Sequence, residues 1–336
     1  MTKQAIEKRK LGRICRAHTN IALIKYWGKA DKDLIIPNNN SLSLTLDAFY
    51  TDTQVVFDPD LDQDQLWLDG NQVRGSALTK AQVILDLVRD QAQLDWPAKI
   101  TSHNQVATAA GLASSASGLA ALAGASADAL NLGLSPTDLS RLARRGSGSA
   151  SRSIFGGFVE WEKGHDDSSS FAKPIDPAQW DIAMLFVIVS DRPKAISSSQ
   201  GMQLTQETSD FYQAWMDSLD QDLADIKAAI QDQDLDQVGS IAERNALKMH
   251  ATNLAAKPPF TYWTKESLAL MQEVWDRRKA GQSLYFTMDA GPNVKVIGKE
   301  ADLKAFKADL SHDWPDKQVV LAKPGPGLAF IDGLLN

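Results

Sequence analysis

The side chains able to do chemistry in this chain gather in short stretches of small and polar residues. The first is Ala109–Gly118, AAGLASSASG, with two glycines and three serines running into the apolar segment Leu119–Leu130. A small-residue loop at a helix start exposes backbone N–H groups and the positive end of the helix dipole, which together suit an anion. Glycine lets the backbone approach a phosphate, and serine hydroxyls add donors or a Mg²⁺ ligand. The same residues also serve a tightly packed helix start, and both readings stand. No GK[ST] follows and the G-x-G spacing is missing, which excludes a P-loop and a dinucleotide fingerprint.

Four further stretches carry candidate chemistry. Lys25, Tyr26, Trp27, Gly28 and Lys29 form a compact KYWGK unit whose ammonium and phenol groups can hold phosphate oxygens. RRGSGSASR offers Arg144, Arg145, Ser147, Ser149 and Arg152 as a second anion cradle. Helix capping by Gly146 also accounts for Arg144 and Arg145, but Arg152 lies beyond such a cap. Asp289 follows the strand-like SLYFT and sits beside Gly291 and Pro292, so it is positioned as a base or an electrostatic element, or is an ordinary Asp turn. Ser197, Ser198 and Ser199 precede a helix, and capping explains only one of them. Two anion cradles, a lysine cluster and one acid suit phosphoryl transfer between ATP and a small molecule that is already phosphorylated.

Elements must bring these stretches together. Ile14–Lys25 reads as a strand leading into a loop, and Ser41–Phe49, SLSLTLDAF, alternates with period two as a strand. Thr53–Phe57 and Gln65–Leu68 read as further strands, with a hairpin turn at Asp69–Gly70–Asn71. Leu78–Gln93 has helical periodicity, and Ser135–Pro136 opens a helix to about Arg145. Residues 146–153 read as a loop, Phe155–Trp161 and Ile182–Val189 as strands. Helices are expected over Ser199–Leu219, Gln221–Gln231, Leu235–Met249 and Lys265–Ala280. Strands then follow at Ser283–Thr287, Val294–Ile297 and Gln318–Ala322, around a helix at Ala301–Leu310. A strand-rich first half and a helix-rich second half predict an α+β protein of two lobes, divided as 1–190 and 191–336.

Composition narrows the class. The 336 residues are 43% apolar and 23% charged, as in an ordinary globular protein. A net charge of −7 argues against general nucleic-acid binding and makes the basic spots at Lys25–Lys29 and Arg141–Arg152 more telling. Cys15 is the single cysteine, which leaves no internal disulfide, and the five histidines form no HExxH pair. No GxSxG elbow is present. No apolar run has membrane-spanning length and no secretory signal is read at the start, so a cytoplasmic address is expected.

Taken in order, NIALIKYWGK at 20–29, SLSLTLD at 41–47, TAAGLASSASG at 108–118, GSGSASRSIFGG at 146–157, SSSQGM at 197–202, MHATN at 249–253 and FTMDAGPNVK at 286–295 span nearly the whole chain. They resemble the GHMP small-molecule kinase superfamily and, within it, the diphosphomevalonate decarboxylases. The KYWGK and MDAGPN elements separate that family from mevalonate kinase and phosphomevalonate kinase. The resemblance implies a ribosomal-S5-domain-2-like N-terminal lobe and a ferredoxin-like C-terminal lobe with the site between them. It implies ATP and Mg²⁺, and (R)-5-diphosphomevalonate as substrate, converted to isopentenyl diphosphate, CO₂, ADP and phosphate. It also implies a homodimer.

Residue roles follow from the same resemblance. Asp289 would sit at the substrate 3-hydroxyl, Lys25 beside that acid, and Arg152 on the substrate carboxylate. Tyr26, Lys29, Ser147, Ser149 and Ser198 would orient the substrate and its diphosphate, and Asn20 would help place the carboxylate. Gly111, Leu112, Ala113, Ser114, Ser115 and Ala116 would cradle ATP, with Ser114 and Ser115 as Mg²⁺ ligands. Two other readings share the motifs: a kinase of the same fold that phosphorylates an alcohol and stops, giving ADP without CO₂, and a phosphometabolite sensor without turnover.

Overall fold

The computed structural model describes residues 9–105, 114–190 and 194–335. Along the chain run β1 (Lys10–Leu11), β2 (Ile14–Ile24), β3 (Lys29–Asp31), β4 (Ile36–Pro37), β5 (Ser41–Phe57), β6 (Gln65–Leu68) and β7 (Asn71–Val73). Helix α1 (Ser76–Ala92), β8 (Ala98–Gln105), α2 (Ser114–Ala129), α3 (Pro136–Gly146), a 3₁₀ helix (Gly148–Ile154), β9 (Phe158–Trp161), β10 (Ala172–Asp176) and β11 (Ala183–Ile188) follow. Then come α4 (Ser198–Thr208), α5 (Tyr212–Asp217), α6 (Leu219–Gln231), α7 (Leu235–Leu254), α8 (Lys265–Lys279), β12 (Tyr285–Met288), β13 (Val294–Gly298), α9 (Glu300–Asp313), β14 (Gln318–Ala322) and β15 (Ala329–Ile331).

β5 is the spine of the first sheet. It pairs with β2 along one edge, and β8 and β9 share its other edge. The two strands expected at Ser41–Phe49 and Thr53–Phe57 are thus one continuous element, because β2 is long enough to pair with both. Its period-two pattern divides the molecule. Leu42, Leu44 and Leu46 enter a core shared with Met184 and Phe186 of β11 and Ile226 of α6. The alternate Ser41 and Thr45 turn to the 3₁₀ helix, where Ser41 Oγ accepts from Arg152 and Thr45 Oγ1 donates to the Phe155 carbonyl.

The second sheet is antiparallel in the order β12-β13-β11-β14. By sheet membership the crossover into this lobe lies before Ala183, and β15 returns to pair with β2, so a cut at 190 separates β11 from its partners β13 and β14. The all-apolar AMLFVI of β11 belongs where both of its edges are paired.

Local signals account for several element ends. Ser135 accepts from the Asp138 N–H as N-cap of α3, and Ser197 with Gln200 forms a capping box on α4. Asp69 and Gly70 both take positive φ in the β6–β7 hairpin. The helix expected over Ser199–Leu219 is two, α4 and α5, with extended Ser209 between them. The break lets the Tyr212 hydroxyl reach the Trp27 carbonyl at 2.9 Å. Residues 148–154 wind into the 3₁₀ helix and not a loop, since Ser147 and Gly148 leave their carbonyls to the N–H of Ala150 and the hydroxyl of Ser151.

Gly28 is the tightest point of the KYWGK turn. Its φ is +141°, and a Cβ there would lie 1.9 Å from Tyr212 Oη and 2.6 Å from Asn38 Nδ2. Gly28→Ala is expected to cost about 2–3 kcal/mol, from backbone strain plus the broken Tyr212 contact. A urea-unfolding midpoint unchanged from the parent chain would refute this close approach.

Candidate active site

Lys25 is the residue just past β2, and both its ends are tied down. Its N–H donates to Asn245 Oδ1 of α7 and its carbonyl accepts from Asn39 Nδ2, each at 2.9 Å. The side chain is 2% exposed, and Nζ donates to the Ala22 carbonyl at 2.7 Å. Its other partner is Asp289 Oδ1 at 2.9 Å, on the turn after β12. Lys295 Nζ of β13 meets Asp289 Oδ2 at 3.2 Å. One carboxylate therefore bridges two ammonium groups from opposite lobes.

Burial raises the Asp289 carboxyl, but the charges and hydrogen bonds of Lys25 and Lys295 more than offset it and hold the group well below the usual carboxylate range. Burial dominates at Lys25 and pulls it down to about 8, against the attraction of Asp289 and with repulsion from Lys295 and Arg152. The Asp289 side chain remains 35% exposed, so it is open to solvent.

Arg152 completes the cationic wall from the 3₁₀ helix. Nε donates to Asn20 Oδ1 at 3.1 Å and Nη1 to Ser41 Oγ at 2.7 Å, with the guanidinium 5.9 Å from the Trp161 ring centroid. Burial lowers its pKa to about 10, and it stays charged at neutral pH. Nη2 has no hydrogen bond to any described residue, which leaves part of the planar fork for a ligand. Asn20 spends both amide protons on Ser149 O and Ser153 Oγ, so it aims Arg152 and joins β2 to the 3₁₀ helix.

Tyr26 lies edge-on to Trp161 at 4.8 Å, and its buried hydroxyl has no partner among the described residues. Burial pushes that phenol up, so it stays a neutral donor. Gly148 allows the 3₁₀ helix to lie on these rings, since a Cβ would come within 2.9 Å of Tyr26 and 2.5 Å of Trp161. Ser147 and Ser149, half-buried, put their hydroxyls 3.3 Å apart beside it. Lys29 is fixed through its backbone, donating to and accepting from the Gln206 amide of α4. Ser198, the first residue of α4, accepts from Lys194, which also donates to the Ala290 carbonyl beside Asp289. His250 of the MHATN stretch is buried against Tyr262 and Trp263, and burial together with the Lys25 charge pushes it down to about 3, so it is neutral.

Several expectations change. Arg144 and Arg145 are not free cations of a phosphate cradle: with Arg141 they converge on Asp167, and Arg144 is fully buried with further bonds to the Leu34 and Ser170 carbonyls. They fasten α3 to the loop after β9. Gly111, Leu112 and Ala113 lie outside the described residues. Ser114 opens α2, Ser115 is exposed in its first turn and Ala116 is buried. That first turn carries no acidic side chain, and α2 packs on the 3₁₀ helix that bears Arg152. Among the described residues no three His, Cys, Asp or Glu side chains converge on a metal position. No described helix is long and apolar enough to cross a membrane.

Sequence reasoning missed Lys295, Asn245, Asn39 and Ser41. Lys295 had a signal: a lysine inside the otherwise apolar run VKVIG of a fully buried strand needs a counter-charge. Asn245, in a helix far along the chain, had none.

Comparison with known proteins gives the family. Residues 17–172 match the diphosphomevalonate decarboxylase-like N-terminal domain, and residues 184–323 match the mevalonate 5-diphosphate decarboxylase C-terminal domain. The diphosphomevalonate decarboxylase of Ganoderma lucidum is 39% identical over 313 residues, covering 86% of this chain and 78% of that protein. The structure of mevalonate diphosphate decarboxylase from Staphylococcus aureus superposes with a TM-score of 0.93 at 51% identity, over 98% of this chain and 100% of that one. MDDEF, solved in complex with MVAPP, AMPPCP and magnesium, gives a TM-score of 0.92 at 52% identity over 97% and 100% of the two chains. A cleft acid held between two lysines, both halves matched in order and near-complete overlap with these relatives place this chain in the diphosphomevalonate decarboxylase family.

Proposed function

We propose that this protein catalyses the ATP-dependent decarboxylation of (R)-5-diphosphomevalonate to isopentenyl diphosphate, CO₂, ADP and phosphate. The observation that carries the reading is Asp289, ionised between Lys25 and Lys295, part-exposed, and within electrostatic reach of Arg152. The MVAPP and AMPPCP complex of MDDEF supports it. The strand order of the second sheet, with helices between its first and second and its third and fourth strands, supports a ferredoxin-like C-terminal lobe. A ribosomal-S5-domain-2-like first lobe and a homodimer belong to the same reading and rest on the family resemblance.

Direct decarboxylation of the substrate would leave an unstabilised carbanion, because its hydroxyl is beta to the carboxylate. ATP supplies the phosphoryl group that turns that hydroxyl into a leaving group. Asp289 orients the 3-hydroxyl as acceptor. Its depressed pKa makes it a weak base, so it takes the proton only as phosphorus–oxygen bond formation acidifies that oxygen. Once the acid has returned that proton to the departing phosphate, its restored charge favours the cation developing at C3. Arg152 holds the substrate carboxylate with its free Nη2 edge until the carbon–carbon bond breaks and its electron pair forms the alkene. Asn20 acts on that carboxylate through Arg152. Tyr26, Ser147, Ser149, Lys29 and Ser198 offer donors to the diphosphate. The α2 start would take nucleotide phosphates carrying Mg²⁺, with Ser114 and Ser115 as Mg²⁺ ligands on the strength of the family resemblance, since that cation needs only one or two protein oxygens.

With 5-diphosphomevalonate, ATP and Mg²⁺, equal release of ADP and CO₂ is expected. ADP alone would make the chain a kinase, and neither product would refute the assignment. Asp289→Asn is expected to lower kcat by at least ~10³-fold with KM little changed, since charge is lost without volume. Turnover near normal would remove Asp289 from the chemistry. Arg152→Lys should lose at least ~10²-fold in kcat/KM, because a point charge cannot replace a fork, and an unchanged value would show that the carboxylate is held elsewhere.

The pH profile follows from Lys25. Its proton is lost near about 8, so kcat/KM should hold level through neutral pH and fall along an alkaline limb. Lys25→Arg stays charged and should lack that limb below roughly pH 10 while turning over more slowly. A limb at the same place in both proteins would assign it to another group.

A further inference from the structure

Asn245 and Asp222 lie outside the cleft, yet they end on its lysine. Both are buried, Asp222 in α6 and Asn245 in α7. Lys248 Nζ approaches the two Asp222 oxygens at 3.1 and 2.9 Å, and Arg244 Nη2 meets Oδ1 at 3.2 Å. Asn245 Nδ2 donates to Asp222 Oδ2 at 3.0 Å. An ionised carboxylate only accepts, so it fixes which way the Asn245 amide faces. The amide oxygen is thereby left toward the Lys25 N–H, which donates to it at 2.9 Å.

That N–H needs an outside acceptor. β2 ends at Ile24, and Lys25 through Gly28 belong to no strand or helix, so no ladder partner serves it. Across the peptide plane the Lys25 carbonyl takes Asn39 Nδ2. The backbone of Lys25 is thus gripped from the first lobe by Asn39 and from the second by Asn245. Its Nζ has a narrow target, within hydrogen-bond reach of both Ala22 O and Asp289 Oδ1. A flipped amide would point N–H at N–H and push the lysine off that line.

We propose that the Asp222–Asn245 pair is a positioning device for the known reaction, with Asn245 setting the place of Lys25 against Asp289 and Asp222 setting the orientation of Asn245. The inference rests on the decarboxylase reading for its kinetic test. It requires that the polarity of the pair matter, and not merely its volume, which separates it from a packing role.

The test exchanges the two groups. Asp222→Asn and Asn245→Asp are made singly and together, and kcat, both KM values and the native fraction by near-ultraviolet circular dichroism are measured. Each single variant should lose at least about tenfold in kcat per native molecule with KM within about threefold, since an amide faces the wrong way or two carboxylates meet. The double variant restores one donor and one acceptor and should recover to within about threefold of the parent. Unchanged kcat in the single variants, or a double variant no better than the worse single one, would overturn the proposal.

A second readout needs no substrate. Acetylation of Lys25, followed by peptide mass spectrometry against exposed Lys80, should speed up in each single variant and return to the parental rate in the double one. Labelling indifferent to all three would overturn the positioning role even if the parent chain released no CO₂, an outcome that would instead dispose of the decarboxylase reading.

Discussion

The carboxylate of Asp289, clasped by Lys25 from one lobe and Lys295 from the other, is the contact on which the rest of the molecule turns. It gives both buried ammonium groups their counter-charge. Removing the acid would leave two like charges facing each other, which costs more than losing a surface pair. The ionisation states are therefore interlocked: the two lysines keep the acid charged, and the acid opposes the loss of the Lys25 proton that burial favours. An excess of positive charge remains once Arg152 is counted, which suits a substrate bearing a carboxylate and a diphosphate.

Such a contact demands that two lobes meet to within a few tenths of an ångström, and the core supplies that register. Leucines of β5, apolar residues of β11 and helices α6 and α7 share one continuous cluster. Rigid packing of this kind holds side chains more closely than loops do. The KYWGK backbone, which cannot be held by a sheet, is tied at four points by side chains: Asn39 and Asn245 on Lys25, Tyr212 on Trp27 and Gln206 on Lys29. Three of those four anchors come from helices of the second half of the chain.

This arrangement explains which parts were legible from the amino acids alone. Asp289 and Lys25 announced themselves because charged residues stand near glycines at the ends of apolar strands, where a side chain is aimed and not simply solvated, and Arg152 because it lies past the point where a helix cap accounts for its neighbours. SLSLTL was legible because its period of two sorts leucines from hydroxyls. Arg144 and Arg145 misled for a physical reason: a basic run next to serines looks the same whether its counter-charge is a ligand or Asp167, and only the fold brings Asp167 there. The 3₁₀ helix at Gly148–Ile154 was hidden for the same cause, since small residues permit both loop and tight helix. Asn245 was invisible because its job depends on a partner 220 positions away.

The hydroxyl face of β5 shows how chemistry and folding are fitted together. Burying Ser41, Ser43 and Thr45 beneath the 3₁₀ helix contributes little by hydrophobic burial, and Ser43 Oγ has no hydrogen-bond partner among the described residues. Leucines there would pack better but would leave Arg152 without Ser41 to receive its Nη1 proton. A buried guanidinium with too few acceptors is a heavier cost than a row of modest hydroxyls. The strand accordingly gives one face to stability and the other to the arginine. Its alternation, read first as a mark of secondary structure, is also the record of where the buried guanidinium is held.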